Sequence, residues 1–360
     1  MFKIKNIKKS KLAAVAIGTA VKVLTAVVCG AVVLTGTYGV VKHTVLPTST
    51  AKTKSMFAYE GGADTGGGSG GSAGDNPVYE TEIKRLSGET VPEGAKYTKA
   101  DGTVLTSFPD APATGDTYEE GDYIYSYNKG GDYGTEWSVV VKDTRKTSYG
   151  KILSNIAEKP LTYMTSTFEG CIFLTEVPNV PNSVTNMRCT FKNCSSLSEV
   201  KIYSNSVKEM YSTFLGASVK SVILPAKVER LDSTFMGCTI KNTPVIPDTV
   251  ISMNSTFWAA KMDVAPAIPD KVSNMYGTFA WSTIKKATTI PSSVTYLNST
   301  FWYCTELEGE IIINADVSSY PFETCSACFS DTKKTIVLKG TCTNLSDLAT
   351  TAANGNVTIG

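Results

Sequence analysis

The sequence predicts a solenoid, a mainly β fold in which short coils of chain stack along one axis. Phenylalanine recurs at intervals of 23, 23, 21, 22, 22, 22 and 21 residues through the second half of the chain. Such a fixed period is typical of repeat folds, because each unit buries its apolar face only against its neighbours. About eight coils are therefore expected, marked by Phe168, Phe191, Phe214, Phe235, Phe257, Phe279, Phe301 and Phe322.

Each unit also repeats its other apolar residues in a constant order. In the fourth unit Phe235 is followed by Cys238, Ile246 and Val250 before Met253 opens the next unit. Prolines follow the apolar segments, where a residue without an N–H ends a β ladder at no cost in hydrogen bonds. The candidate parallel strands are Val177–Val180, Val219–Leu224 and Ile284–Ile290.

A threonine directly precedes each of the first seven phenylalanines. Ser and Thr favour helix N-caps, so we interpret the Ser-Thr pair as the cap of a short helical or 3₁₀ turn over the phenylalanine. The alternative is a threonine ladder exposed on the surface.

The repeats closely resemble a known family. The strings VPNSVTNMRCTFKNCSSL and IPDTVISMNSTFWAAK are similar to the BspA-like leucine-rich repeats of bacterial surface proteins. The resemblance covers about residues 160–330. It implies a leucine-rich-repeat solenoid, display outside the cell, and adhesion or ligand binding. The chain departs from the pattern where Ala217, Ala260 and Ser282 replace the cysteine, and these small residues should preserve the fold.

The N-terminus has the pattern of a membrane signal anchor. Residues 1–11 form a basic tail, and residues 12–42 form an apolar segment interrupted by Lys22. Val23–Val41 is uncharged and long enough to span ~30 Å of hydrocarbon as a helix. The positive flank predicts a single-pass protein with a cytoplasmic N-terminus and extracellular C-terminal domains. The alternative is a cleaved signal peptide and a secreted protein, although the apolar run exceeds the usual length.

Four further regions follow the anchor. Residues 43–77 include GGADTGGGSGGSAG and are expected to form a flexible tether. Residues 78–158 predict a small antiparallel β module that caps the solenoid, with a hairpin at Asp101-Gly102. In this module the alternating Tyr123, Tyr125 and Tyr127 indicate a half-buried strand, or alternatively a sugar-binding face. The solenoid is expected at 159–330, and a C-terminal cap with a short helix after Asn344 at 331–360.

Most catalytic chemistry is excluded by composition. His43 is the only histidine and lies beside the predicted anchor, so histidine-based catalytic and zinc sites are not expected beyond it. Glu119, Glu120 and Asp122 cluster in one loop, but acidic turn residues are usually solvated. Residues 1–42 carry seven lysines and no acid, so the remainder of this +1 chain is close to −6 and offers no basic face to nucleic acid. We predict no enzyme activity, cofactor or metal.

The cysteines follow the repeat and are interpreted as small buried hydrophobes. Five occupy the position three residues after the phenylalanine, and Cys328 is assigned to the next aliphatic position. The Cys325-x-x-Cys328 motif is therefore a product of the repeat. The five are Cys171, Cys194, Cys238, Cys304 and Cys325.

Four aromatic residues form the candidate ligand-binding site. Trp258 and Trp302 directly follow a phenylalanine, and Trp281 and Tyr303 come one residue later. Stacking of units five to seven places them side by side as a stripe, and grouped surface aromatics mark interaction sites. Trp281 is offset by one residue from Trp258 and Trp302 and is expected to be the weakest member. The alternative is that the rings pack between coils as part of the outer shell.

These features predict a surface protein that binds a protein or glycan ligand outside the cell and contacts the membrane through residues 12–42. A structural or cell-contact component of the bacterial envelope, with no foreign ligand, is the alternative. An enzyme is the third and least favoured hypothesis.

Overall fold

The computed structural model of the chain describes residues 82–128, 136–315, 327–352 and 355–360. These residues belong to one compact unit, Ser72–Gly360. Within the described ranges, no helix is both long and apolar enough to cross a membrane. The predicted tail 1–11, anchor 12–42 and tether 43–77 lie outside the described residues, as do Phe322 and Cys325.

Eight short strands form one sheet at the start of the described chain. They are β1 (Ile83–Arg85), β2 (Lys96–Thr98), β3 (Val104–Leu105), β4 (Thr117–Glu120), β5 (Tyr123–Tyr127), β6 (Trp137–Val141), β7 (Leu153–Ile156) and β8 (Lys159–Tyr163). Their order across the sheet is β1-β7-β8-β6-β5-β4-β2-β3.

The sheet is mixed, and a wholly antiparallel module was the wrong prediction. Strands β2 to β6 pair antiparallel, and the expected hairpin at Asp101-Gly102 joins β2 to β3. In contrast, β1 pairs parallel with β7, and β6 pairs parallel with β8. The physical reason lies in β8, which leads into the first coil, where Tyr163 bridges Asn186 in parallel. The direction of β8 is thus set by the solenoid.

The aromatic face of this sheet covers the open end of the solenoid. The side chains of Tyr123, Tyr125 and Tyr127 are all buried, so the sugar-binding alternative is wrong. The Tyr123 ring lies 6.3 Å from the ring of Phe168 in the first coil, in an edge-to-face arrangement. Tyr149 packs against the same phenylalanine at 5.1 Å. The expected capping role follows from these contacts, because a terminal coil has no neighbour to cover it.

The repeating phenylalanines stack as a continuous column inside the solenoid. From Phe168 to Phe301 each ring is almost completely buried and nearly parallel to the next. The ring centroids are separated by 5.3–5.7 Å and the planes by 4–11°. The inward assignment of these residues is therefore confirmed.

The eighth ring of the column is Phe329, whereas Phe322 was predicted. Phe329 stacks on Phe301 at 5.3 Å and 11°. Cys328 consequently occupies the position before the phenylalanine, and its carbonyl accepts from the Phe301 N–H at 2.9 Å. The assignment of Cys328 to the next aliphatic position was wrong for the same reason. Extra residues between coils seven and eight lengthen the interval, and a fixed count cannot detect them.

Backbone hydrogen bonds connect each coil to the next. From Phe168 to Phe279, the N–H of each phenylalanine donates to the carbonyl of the threonine in the following coil, as in Phe235 to Thr256 at 2.9 Å. Five residues before the phenylalanine, single parallel bridges run through coils one to seven. The bridged residues are Tyr163, Asn186, Glu209, Arg230, Ser252, Asn274 and Tyr296.

The opposite side of the coils contains little regular strand. Only Val219–Leu224 of the candidate strands holds one, β10 (Ser221–Ile223), which pairs parallel with β9 (Glu199–Lys201). Val177–Val180 forms none, because Pro178 interrupts its donors. Ile284–Ile290 makes only isolated parallel bridges.

The threonine before each phenylalanine has a role that neither sequence interpretation anticipated. It is buried, and it caps no helix. Its hydroxyl donates to a backbone carbonyl of the preceding coil, as in Thr256 to Leu231 at 2.9 Å and Thr278 to Met253 at 2.8 Å. The same bond recurs at Thr190, Thr213, Thr234 and Thr300. The threonine thus joins coils along the axis.

A parallel three-stranded sheet and a short helix close the C-terminal end. The strands are β11 (Gly309–Ile312), β12 (Ile336–Lys339) and β13 (Val357–Ile359), and α1 (Leu345–Thr350) lies between the last two in sequence. Asn344 stands at the N-cap of α1, but its side chain makes no capping hydrogen bond. Instead its Oδ1 accepts from the Cys342 thiol at 2.9 Å.

The column predicts a large cost for removing one ring. Phe235→Ala should lower the free energy of unfolding by about 3–5 kcal/mol, because the ring is fully buried and stacks on both neighbours. Urea denaturation followed by circular dichroism measures the change. Lys241→Ala, at an exposed site, is the control and should be nearly neutral. An unmoved transition for Phe235→Ala would contradict the inward assignment.

The threonine bond predicts a separate, smaller effect. Thr256→Val keeps the shape of the side chain but removes the donor to the Leu231 carbonyl, which should cost about 0.5–1.5 kcal/mol because that carbonyl still accepts from the Thr234 N–H. The same substitution at the exposed Thr289 is the control. Equal losses at both positions, measured by urea denaturation, would show that valine itself and not the missing bond is responsible.

Candidate functional site

The four predicted aromatic residues lie at the corner where each coil turns outward after the phenylalanine. The residue directly after the phenylalanine has its carbonyl bonded to an N–H of the preceding coil. Trp302 accepts in this way from the Trp281 N–H at 2.8 Å, and Trp258 from Gly237 at 2.8 Å. These bonds hold successive coils in register, so residues at this corner form straight rows along the axis.

The structure brings all four rings into one cluster, which we call the aromatic stripe: Trp258, Trp281, Trp302 and Tyr303. The Trp258 and Trp302 centroids are 5.8 Å apart in an edge-to-face arrangement. Trp281 contacts Trp302 edge-to-face at 5.9 Å and stacks on Tyr303 at 4.0 Å. Trp281 and Trp302 each contact two of the other rings, so the expected offset of Trp281 does not separate it from the stripe. The one-residue offset places its ring between two others.

Two small residues make room for this cluster. Ala280 stands between Trp258 and Trp302 in the row after the phenylalanine and is fully buried. A Cβ added to Gly277 would lie 2.9 Å from the Trp258 ring, so the indole rests directly on the glycine backbone. Trp258 and Trp302 reach each other across coil six because neither small residue blocks them.

The stripe is a surface feature that is partly supported by packing. Trp281 is 37% exposed, and the other three rings are half-buried. Both expectations for these residues, a surface stripe and shell packing, therefore describe part of what is observed. Edge-to-face and stacked aromatic contacts hold the rings in fixed orientations. The cluster is thus pre-organised while still presenting apolar surface to solvent.

Two members of the stripe occupy an unfavourable backbone conformation. The residue two after the phenylalanine has a positive φ in every described coil, and in coils one, three and four it is glycine. Trp281 and Tyr303 adopt the same left-handed conformation with φ of 60° and 57°. This region costs a residue with a Cβ roughly 1–2 kcal/mol. The conformation itself belongs to the repeat, and what distinguishes coils six and seven is that a large aromatic residue adopts it.

Charged side chains border the stripe at its C-terminal end. The Trp302 Nε1–H donates to the Asp331 carboxylate at 3.1 Å. The Lys333 ammonium lies 5.9 Å from the centroid of the Tyr303 ring, within the range of a cation–π contact. These contacts fix the rings of coil seven from the side of coil eight.

Sequence reasoning missed residues that extend this surface. Leu215 and Met236 occupy the same row as Trp258 and are half-buried. Tyr276 and Tyr296 form a second aromatic pair, with ring centroids 6.0 Å apart. Leu215 and Met236 could have been found from the sequence, because they share the repeat position of Trp258. The tyrosine pair joins two different positions, five and three residues before the phenylalanine, and only the register of the coils shows that they meet.

The acidic cluster is not one loop, because Glu119 and Glu120 end β4 and only Asp122 lies in the turn before β5. All three carboxylates form ion pairs. Burial raises the pKa of Glu120, but hydrogen bonds from Arg85 and Tyr118 outweigh it and leave the pKa below its ordinary value. Burial also raises the pKa of Asp122, and the bonded Lys146 ammonium again lowers it overall. Both groups are ionised at neutral pH, so neither is suited to donate a proton.

The repeated cysteines are buried thiols. Cys194, Cys238 and Cys304 donate to the phenylalanine carbonyl of the preceding coil at 2.9–3.1 Å. Burial raises the pKa of each of these thiols to about 12, which suppresses the reactive thiolate. In the part of the chain that the structure describes, no three His, Cys, Asp or Glu residues are grouped to hold a metal. Ala217, Ala260 and Ser282 fill the same inward position and are buried.

The coil geometry defines a parallel repeat solenoid, and comparison with known families assigns it. A model of the BspA-type leucine-rich-repeat region matches in six copies over residues 162–277 and 232–349. These matches together span slightly more than half of the chain. The chain therefore belongs to the BspA-type leucine-rich-repeat family.

The remaining comparisons do not identify a function. Residues 1–61 match a family of unknown function, DUF6133. No curated protein and no solved structure matches the chain.

Proposed function

We propose that the chain is a cell-surface adhesion protein whose solenoid presents the aromatic stripe to a protein or glycan outside the cell. Stacked coils create extended surfaces that repeat families use for binding. The observation that carries the proposal is the placement of Trp281 and Tyr303. Large aromatic rings there accept a strained backbone that glycine in other coils avoids, although the inward packing does not require them.

Location outside the cell is proposed from the N-terminal sequence. Five lysines in residues 1–11 precede the apolar segment 12–42, and such a charge distribution keeps the N-terminus in the cytoplasm. A glycine-rich tether between the membrane and the solenoid would let the stripe reach its ligand. Cleavage of the segment and secretion is the alternative. We further propose that the chain binds without catalysis, since Glu120, Asp122 and the repeated buried thiols are engaged in structural contacts.

Binding is tested with variants that respect the repeat. Trp281→Gly places at this position the residue found in coils one, three and four, so the fold should be retained. Asn193→Gly is the matched control, at the same left-handed position in coil two. The full chain is probed against immobilised extracellular-matrix proteins and glycans. Trp281→Gly should weaken binding at least 30-fold, or about 2 kcal/mol, and Asn193→Gly should leave it unchanged.

Two results would contradict this assignment. Undiminished binding by Trp281→Gly would separate the stripe from the ligand site. Failure of the unaltered chain to bind any foreign matrix, together with loss of contact between cells that lack it, would favour the structural envelope role.

Topology is tested by protease treatment of spheroplasts that carry the full chain. Cleavage should occur within residues 61–74, because flexible glycine-rich chain is the preferred site of attack. A soluble solenoid fragment and a membrane-bound stub containing residues 12–42 are expected, detected with antibodies to each end. A mature protein that begins after residue 42 would show that the segment is a cleaved signal peptide.

A further inference from the structure

The outer corner of coils five to seven is distinguished by its lack of charge. Five positions of each coil line this corner: five, three and two residues before the phenylalanine, and one and two residues after it. Most of these residues reach the surface in coils five to seven, whereas Ser252, Gly277, Ala280 and Ser299 are buried beneath them. In these three coils, none of the five positions holds an acidic residue, a basic residue or histidine. We call this surface the neutral face. Its aromatic members are Trp258, Tyr276, Trp281, Tyr296, Trp302 and Tyr303.

The same positions in the earlier coils carry ion pairs. Glu169 and Lys192 are joined at 2.8 Å across coils one and two. Arg230 lies 3.7 Å from Glu209 and 2.9 Å from Asp232, in coils three and four. At the other end, Asp331 and Lys333 border the face. The neutral face is therefore a defined window three coils long, and its composition is not a property of the whole solenoid.

The neutral face is continuous. Gly277 lies against the Trp258 ring, which connects the positions before the phenylalanine to the aromatic stripe after it. The Tyr276 and Tyr296 rings meet at 6.0 Å and extend the aromatic surface on that side. The rows therefore form a single surface that one ligand can contact.

Polar groups on this face are amides and hydroxyls held in set orientations. The Asn274 side-chain oxygen accepts from the Tyr276 N–H at 2.9 Å. The side-chain oxygens of Asn254 and Asn298 accept from the adjacent serine hydroxyls at 2.8 and 2.6 Å. Side chains fixed in this way lose little conformational freedom on binding, which favours affinity.

We propose that the ligand of the neutral face is an uncharged glycan, an inference that rests on the proposed binding function. Aromatic rings present a partly negative face that disfavours sulfates and carboxylates and suits the C–H surfaces of sugars. Amides and hydroxyls satisfy sugar hydroxyls by hydrogen bonds. A charged ligand would lose hydration over rings and amides that carry no counter-charge, because Asp331 and Lys333 stand only at one edge of the face, and that loss is costly. Protein interfaces are enriched in arginine as well as in tyrosine and tryptophan, and this face has the aromatic residues but no arginine.

A matched pair of isosteric variants tests the inference. Asn274→Asp and Asn186→Asp change the same repeat position, and in both the side-chain oxygen accepts from the N–H two residues later at 2.9 Å. Only Asn274 belongs to the neutral face. The full chain is run in affinity gels containing mannan, amylose, xyloglucan or β-1,3-glucan, with heparin, polygalacturonate and fibronectin as charged probes. Trp281→Gly and Asn193→Gly are included.

The expected result is retardation by at least one neutral polysaccharide, little changed between about 0.05 and 0.5 M NaCl because no charge pairing is involved. Trp281→Gly should abolish the retardation. Asn274→Asp should weaken it about tenfold or more, because the new carboxylate must lose hydration when the ligand binds. Asn186→Asp and Asn193→Gly should match the unaltered chain.

Other outcomes overturn the inference. If only heparin, polygalacturonate or fibronectin binds and Trp281→Gly abolishes that binding, the binding function stands and the ligand class is wrong. If no neutral polysaccharide retards the chain, an uncharged glycan is excluded. If binding survives Trp281→Gly, both the ligand class and the role of the stripe fail.

Discussion

The structure depends on one unit, the threonine–phenylalanine pair that recurs in each coil. Its three contacts all point along the axis. The ring stacks on both neighbouring rings, the threonine hydroxyl donates to the preceding coil, and the phenylalanine N–H donates to the following coil. None of these contacts reaches beyond the adjacent coil, so stability accumulates from neighbour to neighbour. The first and last coils then need partners of another kind, which the aromatic sheet and the C-terminal strands provide.

Because the pair satisfies the interior, the outer corner is free to vary. The residue two after the phenylalanine must accept a left-handed backbone, yet it is Gly170, Asn193, Ala259, Trp281 or Asp331 in different coils. The side chain at this site therefore responds to something other than the core. Within a single coil, inward positions hold the stack together and corner positions define the outer surface.

Much of this architecture can be predicted from the sequence, because the inward residues recur at a nearly constant interval along the chain. The column of phenylalanines, the cysteine row and the terminal caps all follow from periodicity and alternation. The place of Phe329 does not, since an irregular interval between coils seven and eight breaks the count. The direction of the threonine bond also escapes prediction, because a hydroxyl can either accept within a turn or donate across coils. Strand direction in the first sheet depends on how β8 enters the solenoid, which is a property of the whole fold.

The stacking of coils also fixes the distance between equivalent side chains along the axis. Groups on successive coils are separated by a fixed step, visible in the 5.3–5.7 Å spacing of the inner rings. Side chains on one row can therefore match a linear polymer only where its own repeat is commensurate with that step or a multiple of it. An aromatic residue moved by one coil would shift the contact by one step without disturbing the interior. The solenoid thus sets the spacing of the groups on its outer rows, and the corner residues determine which group is presented at each step.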